Sequence, residues 1–298
     1  MFTADLSGMV IAIFGPTASG KTAVAQAIAD ALPSEVVSAD SMQVYQGLPI
    51  LTNQPDRPTA LVGIWPLDHE GSVAEYQRLA HEAVDGALSQ GRTPIVVGGT
   101  GLYLRAALAD LELPPAPPSG ARERWERLYD RLGPGTAHAA LAERDPQAAI
   151  AVHPNDRRRV VRALELHEAG GSLAPPRDRL WSEETRHPTQ IFGLEVPKAV
   201  LEERIRERTE AMFERGVGEE VARALRAPVS RTASQIIGLR EIAELPRNEA
   251  VAAIALRTRR YAAYQRKWMR RIPSVQTVSA DRSAAETAAE VLARAHEA

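Results

Sequence analysis

The stretch Ile11–Gln26, IAIFGPTASGKTAVAQ, decides the fold. An apolar run from Met9 to Phe14 leads into GPTASGKT (15–22), and a helical pattern follows. Val24, Ile28 and Leu32 recur at i, i+4 and i+8, one face of a helix, and Pro33 ends it. A strand, a glycine-rich GxxxxGKT loop and a helix, in that order, make a phosphate cradle. Gly15 and Gly20 permit the tight backbone path, so that successive N–H groups converge on one phosphate group. The helix adds the partial positive charge of its N-terminus. Lys21 neutralises phosphate oxygens, and Thr22 is of the type that ligates Mg²⁺. The expected anion-binding set is therefore Gly15, Pro16, Thr17, Ala18, Ser19, Gly20, Lys21 and Thr22, with Thr22 as metal ligand. The motif leaves the ligand open: a nucleotide to be hydrolysed, a phosphoryl donor, or another phosphate compound.

Outward from the loop, Glu35 to Ala39 reads as a short second strand that finishes at Asp40. Residues 47–71 are rich in Pro, Gly and Asp and read mostly as loop. Val73 to Leu88 is helical, with Val73, Tyr76, Leu79, Ala80, Ala83, Val84 and Leu88 on its apolar face and Gly91 as a C-cap signal. Pro94 to Val97 is a buried strand running into Gly98-Gly99-Thr100-Gly101. This β-α-β-α-β order with short turns predicts an α/β fold with a parallel sheet and helices on both faces. The character then changes. LPPAPPSG (113–120) reads as a proline-rich hinge, and residues 121 to about 170 are helical and arginine-rich, with breaks near Gly133-Pro134 and His153-Pro154. Pro175-Pro176 sits in a loop. Thr189 to Val196 alternates like a strand and returns to the sheet. The expected domains are a core of 1–112 with 189–298 and a helical insertion at 113–188. Residues 197–226 read as a helix pair, and Asn248 to Arg271 as a long helix stopping before Pro273.

The chain has no cysteine, which excludes disulfides, thiolate zinc sites and iron–sulfur clusters and fits a cytoplasmic location. The run from Met9 to Phe14 is too short to span a bilayer and lacks a basic flank, so no membrane association is expected. A net charge of −2 announces no nucleic-acid partner, so the distribution of charge has to be read instead. Lysine occurs only at 21, 198 and 267, against a total of 36 basic residues. That bias lowers the weight of any lone arginine and raises that of Lys21. P-loop hydrolases place an acid at the end of an apolar strand to hold Mg²⁺. Here Pro94 to Val97 ends in Gly-Gly-Thr, and the acid at a strand end is Asp40. In an open parallel sheet strand C-termini line the ligand crevice, so Asp40 is expected to face Lys21.

Two arginine clusters stand out. After His153, Asn155 or Asp156 is a natural N-cap, and the first helical turn then carries Arg157, Arg158 and Arg159. Cations there oppose the helix dipole, a local conflict of the kind expected at functional sites. Arg158, Arg159 and Arg162 can share a face. In the last long helix Arg257, Arg259, Arg260, Arg266, Lys267, Arg270 and Arg271 are uninterrupted by acids, with Tyr261, Tyr264 and Trp268 between them. Val251, Ile254, Thr258, Tyr261, Gln265 and Trp268 form a packing stripe. Arg257, Arg260, Tyr264, Lys267 and Arg271 form a basic one. Clustered cations track a polyanion, and aromatics stack on unpaired bases; the plain alternative is a solvated arginine surface.

Together these pieces resemble the tRNA dimethylallyltransferases, also called tRNA isopentenyltransferases. The matching segments are GPTASGKT (15–22), SADSMQVYQGL (38–48), SVAEYQ (72–77), VGGTGLYLRA (97–106), HPNDRRRVVRALE (153–165), IIGLRE (236–241) and TRRYAAYQRKWMRR (258–271). The resemblance implies a P-loop, nucleotide-kinase-like core with a helical insertion that grips the anticodon stem-loop of tRNA. It implies transfer of the dimethylallyl group from dimethylallyl diphosphate to N6 of adenosine 37, assisted by Mg²⁺. By the same resemblance Asp40 is the general base, Thr17 touches the bridging oxygen and Arg208 clamps the diphosphate. The implied tRNA contacts are Asp40, Ser41, Met42, Gln43, Thr100, Arg122, Arg158, Arg159, Arg162, Gly238, Arg240, Arg266 and Lys267. A monomer is expected. The chain departs from the family at PILTNQP (49–55), where a DIGTAKP-like stretch is usual, and at GIWPLDH (63–69), in place of an HHLID-type stretch. The competing readings are a P-loop small-molecule kinase, weakened by the missing strand-end acid, and a non-catalytic RNA-binding module, weakened by Lys21, Asp40 and Thr17 occurring together.

Overall fold

Val10, Ile11, Ala12, Ile13 and Phe14 are all buried, with no alternation. A strand buried on both faces belongs in the middle of a parallel sheet covered by helices. A computed structural model describes Leu6 and residues 8–113, 118, 120–174 and 179–297. Most of the proline-rich stretch 113–120 and the pair Pro175-Pro176 lie outside the described residues. In chain order the elements are β1 (Val10–Phe14), α1 (Lys21–Ala31), β2 (Ser34–Ser38), α2 (Val73–Ser89), β3 (Thr93–Gly98) and α3 (Gly101–Leu108). Next come α4 (Ala121–Arg144), α5 (Pro146–Ala151), α6 (Arg157–Glu168), β4 (Thr189–Glu195), α7 (Lys198–Glu214) and α8 (Val217–Ala224). The last are α9 (Leu239–Glu244), α10 (Arg247–Met269), β5 (Val275–Ser279) and α11 (Ala284–Glu297).

The sheet order is β2-β3-β1-β4-β5 and every pairing is parallel. β1 takes the centre, with Ile11 opposite Ile95 on β3 and Ile13 opposite Phe192 on β4. Ile11, Ile13, Ile28, Phe192 and Val291 belong to one buried apolar cluster that joins the sheet to α1 and α11. Residues 47–71 form no helix or strand, as their composition predicts. α3, β5, α9 and α11 have no counterpart in the sequence reading. β5 is a half-exposed edge strand, VQTVS, without an apolar run, and α9 has only 6 residues. Among the described residues no helix is long and apolar enough to cross a membrane.

The chain divides into two compact units, one of residues 1–110 with 183–298 and one of residues 111–182. The smaller unit packs α4, α5 and α6 around Tyr129, Leu141, Val160 and Leu164. Gly133, at φ +80°, breaks α4 just before Pro134, where the glycine-proline pair predicts it. Asp156 caps α6 by accepting from the Arg159 N–H at 3.0 Å. Glu165 is fully buried and is met by Arg122 at 3.4 Å and Arg162 at 3.2 Å. Arg157 makes a two-point bond to Asp130 at 2.8 and 2.7 Å, leaving Arg158 and Arg159 exposed.

β2 and β3 touch closely at their C-terminal ends. The Ala39 N–H donates to the Val97 carbonyl at 2.7 Å, and a Cβ on Gly98 would lie 2.0 Å from the Ala39 oxygen. No side chain fits there, so Gly98 fixes the height of Asp40 above the sheet. Gly98→Ala is expected to push the strand ends apart and to cost about 1–3 kcal/mol, as overpacking does. Urea denaturation of the variant beside wild type measures it; an unchanged midpoint would show that the strand ends have slack.

Candidate active site

The C-terminal ends of β1, β2 and β3 bring loops 15–20, 39–46 and 98–101 to one edge of the sheet, where an open α/β sheet binds ligands. In the first loop a Cβ on Gly15 would lie 2.6 Å from the Ser19 hydroxyl. Ala18 at φ +64° and Gly20 at φ +85° are both left-handed, which turns the backbone N–H groups inward ahead of α1. Ser19 is buried, and its N–H donates to the Pro16 carbonyl at 3.1 Å. The Lys21 ammonium donates to that same carbonyl at 3.5 Å. Burial pushes its pKa down to about 8; Asp40 pulls the other way, and Arg208 reinforces the depression.

One side chain ties this loop to the next. Gln265 on α10 is 2% exposed. Its Oε1 accepts from the Thr17 N–H at 2.8 Å, and its Nε2 donates to the Gly99 carbonyl at 2.8 Å. The glycines of Gly98-Gly99-Thr100-Gly101 make room for this. A Cβ on Gly99 would meet the Gln265 amide at 2.2 Å, and one on Gly101 would meet the Trp268 ring at 2.2 Å. Between them Thr100 Oγ1 lies 3.2 Å from the Ser41 N–H nitrogen, 3.1 Å from the Ser41 hydroxyl and 3.2 Å from the Tyr261 hydroxyl. Thus α10 grips the crevice with one face, while Arg259, Arg260, Lys267 and Arg270 are exposed. Arg257 is paired with Glu241, and Arg266 donates to the Val196 carbonyl.

Asp40 stands across from Lys21. Its Oδ1 accepts the Met42 N–H at 2.9 Å, which fixes the carboxylate plane. Thr17, Lys21, Thr22, Asp40, Met42, Gln43 and Arg208 all line one crevice. Arg208 comes from α7, whose neighbouring Arg206 is occupied by Glu203 and Glu210. Burial lowers the Arg208 pKa against the pull of Asp40, and its Nε is buried without a hydrogen-bond partner among the described residues. An unsatisfied buried donor is costly, so a guanidinium held this way favours an incoming anion.

The remaining expected residues have other surroundings or other partners. Gln43 is used internally: its Oε1 accepts from the Ser38 hydroxyl at 3.0 Å and its Nε2 donates to the Asn53 carbonyl at 2.8 Å. Gly238, at φ +98°, opens α9, and Arg240 is exposed and paired with Glu244 at 2.9 Å. Lys267 is exposed. Arg122, Arg158, Arg159 and Arg162 belong to the smaller unit. Three residues escaped the sequence reading. Gln265 falls in the packing stripe, and a polar residue in such a stripe must find partners when buried. Glu220 is buried on α8 and accepts the Ile50 and Leu51 N–H groups at 2.7 and 2.8 Å. Leu51, in the departing stretch 49–55, lines the crevice.

The family model described as IPP transferase matches residues 43–272, and that for isopentenyl transferase matches residues 8–59. The chain belongs to the IPP transferase family. It is 42% identical over 293 residues to a tRNA dimethylallyltransferase of Streptomyces coelicolor, covering 94% of this chain and 93% of that one. A tRNA dimethylallyltransferase of Thermobifida fusca is 40% identical over 291 residues, covering 91% and 90%. Among solved structures, a tRNA isopentenylpyrophosphate transferase of Bacillus halodurans superposes with a TM-score of 0.68 at 31% identity, covering 97% of each chain. A eukaryotic dimethylallyltransferase acting on tRNA gives 0.74 at 25% identity, over 92% of this chain and 74% of that one. The parallel α/β core with its P-loop is thus the family's architecture.

Because the folded pKa of Lys21 lies below its unfolded value, its burial opposes folding below about pH 8, and that opposition fades as pH rises toward 10.5. An anion in the loop reverses the preference. Binding of inorganic diphosphate is therefore expected to take up about one proton more at pH 9 than at pH 7. Calorimetry in buffers of different ionisation enthalpy reads the uptake. Lys21→Met removes this component and leaves the ligand's own protonation; equal uptake in both proteins would rule Lys21 out as its source.

Proposed function

We propose that the chain transfers the dimethylallyl group of dimethylallyl diphosphate to N6 of adenosine 37 in tRNA, releasing diphosphate. The observation that carries this reading is the position of Asp40. Asp40 follows β2 and lines the crevice with Thr17, Lys21 and Arg208, while β3 runs into Gly98-Gly99-Thr100 with no acid. A phosphate cradle facing a carboxylate suits a reaction in which diphosphate departs and an amine attacks.

Breaking the allylic C1–O bond builds negative charge on the departing diphosphate. Lys21, the loop N–H groups and Arg208 lie where that charge develops. Thr17, held by Gln265 through its backbone, offers its hydroxyl to the bridging oxygen. N6 of the adenine forms the new bond to C1, and Asp40 accepts the proton that N6 loses. Mg²⁺ fits this donor set. Thr22 lines the crevice and would be the protein's ligand, and among the described residues no group of three acidic or histidine side chains forms a metal cage. Magnesium commonly takes one or two protein oxygens and completes its shell with phosphates and water. When bound, it would neutralise diphosphate oxygens.

The adenine must leave its stack to reach such a crevice. The exposed cations of α10 have the chemistry to hold a nucleic-acid backbone, and so, within the smaller unit, do the exposed Arg158 and Arg159. We propose a monomer acting in the cytoplasm, a location that the chain's lack of cysteine fits.

A single-turnover assay with Mg²⁺, dimethylallyl diphosphate and an unmodified tRNA carrying adenosine at position 37 tests the reaction. Prenylated adenosine is expected. Asp40→Asn is expected to keep tRNA affinity and slow transfer by about 10²-fold or more; an unchanged rate would remove Asp40 as the base. Replacing Arg259, Arg260, Lys267 and Arg270 together is expected to weaken tRNA binding and flatten its dependence on salt. A salt slope equal to wild type would leave α10 as scaffold alone.

A further inference from the structure

Besides the polar groups around the phosphate loop and the polar Thr52 and Asn53, the crevice is lined by four apolar side chains, Leu51, Met212, Ile237 and Ile254. Along α7, Arg208 and Met212 are spaced i, i+4, so Met212 lies about 6 Å further along the same face. Along α10, Gln265 holds the phosphate loop, while Ile254 lies eleven residues earlier, roughly 16 Å along the axis. Both helices thus change from polar to apolar away from the loop. Leu51 and Ile237 complete the apolar lining with Met212 and Ile254.

Leu51 is the most firmly placed of these. It is 7% exposed, its N–H is bound at 2.8 Å by the buried Glu220, and the neighbouring Ile50 N–H is bound by the same carboxylate at 2.7 Å. Its side chain rests on Gly238. A Cβ there would come within 2.6 Å of Leu51 Cδ1 and 3.4 Å of Ile254 Cδ1. Two hydrogen bonds thus hold the Leu51 backbone, and its side chain is buried against Gly238. It also lies in the stretch 49–55, where the chain departs from the family pattern.

We propose that Leu51 is a specificity-determining residue that closes the apolar part of the crevice and restricts the allylic donor to five carbons. This rests on the donor proposed above. A chain attached to a diphosphate at Arg208 runs past Met212, and a further isoprene unit would collide with Leu51. Apolar pockets discriminate between homologous chains by contact and collision.

The test compares binding of dimethylallyl and geranyl diphosphate, measured by calorimetry without tRNA, in wild type and in Leu51→Ala and Leu51→Gly. Wild type is expected to bind the ten-carbon donor about 100-fold more weakly. Both variants are expected to narrow that gap at least about tenfold while binding inorganic diphosphate as wild type does. Equal affinity of wild type for the two donors would overturn the proposal, and so would an unchanged gap in variants that still bind diphosphate. Should both variants fail to fold, Leu51→Val is expected to narrow the gap by less, and an unchanged gap there would count equally against it. Transfer to tRNA is scored separately. Chain-length selection without transfer would sink the proposed reaction and spare this inference, whereas transfer without selection would do the reverse.

Discussion

A single primary amide holds the crevice together. The Gln265 side chain satisfies the Thr17 N–H and the Gly99 carbonyl, two backbone groups from loops at the ends of neighbouring strands. A parallel sheet brings its loops to one edge, but it does not satisfy their buried polar groups. Here a helix far along the chain does so. The glycines at 99 and 101 follow from the same constraint, because α10 lies so close that neither position can carry a Cβ. The Tyr261 hydroxyl on Thr100 and the Trp268 ring over Gly101 extend the grip in both directions.

That grip matters because the site is electrostatically tense. Lys21 and Arg208 are both depressed by burial, and Asp40 is the acid that attracts both. Two cations and one anion in a half-dry crevice leave an excess of positive charge, which a diphosphate relieves. The smaller unit arranges charge differently. Its buried Glu165 is matched by Arg122 and Arg162, and Arg157 is matched by Asp130, so two exposed arginines remain at the start of α6.

How legible this was depended on the strength of the local signal. β1, the phosphate loop and α1 can be read from sequence because an unbroken apolar strand, a spaced glycine pattern and a four-residue periodicity coincide there. α2, β3, β4 and α10 follow from equally regular patterns. β5 did not, since an edge strand exposed on one side needs no apolar run, and α9 is too short to show a period. In the crevice, Asp40 follows from its place after a strand. Arg208 was suggested by the family resemblance alone, because its spacing matches that of the surface arginines around it. Gln265 and Glu220 act on backbone groups distant in sequence, and no local pattern carries such a partnership. Leu51 was visible only as a departure from a pattern.

The order in which these parts can fold during synthesis follows from the topology. The unit of residues 111–182 is contiguous, and its apolar cluster is closed within it. The other unit waits: β4 joins β1 after that stretch, β5 comes later still, and α1 is covered by α11. Domains fold as units during synthesis, and long-range parallel pairing is slow. A nascent chain therefore completes its helical unit first. The phosphate loop, among the earliest parts to emerge, stays unbraced until Gln265 is made.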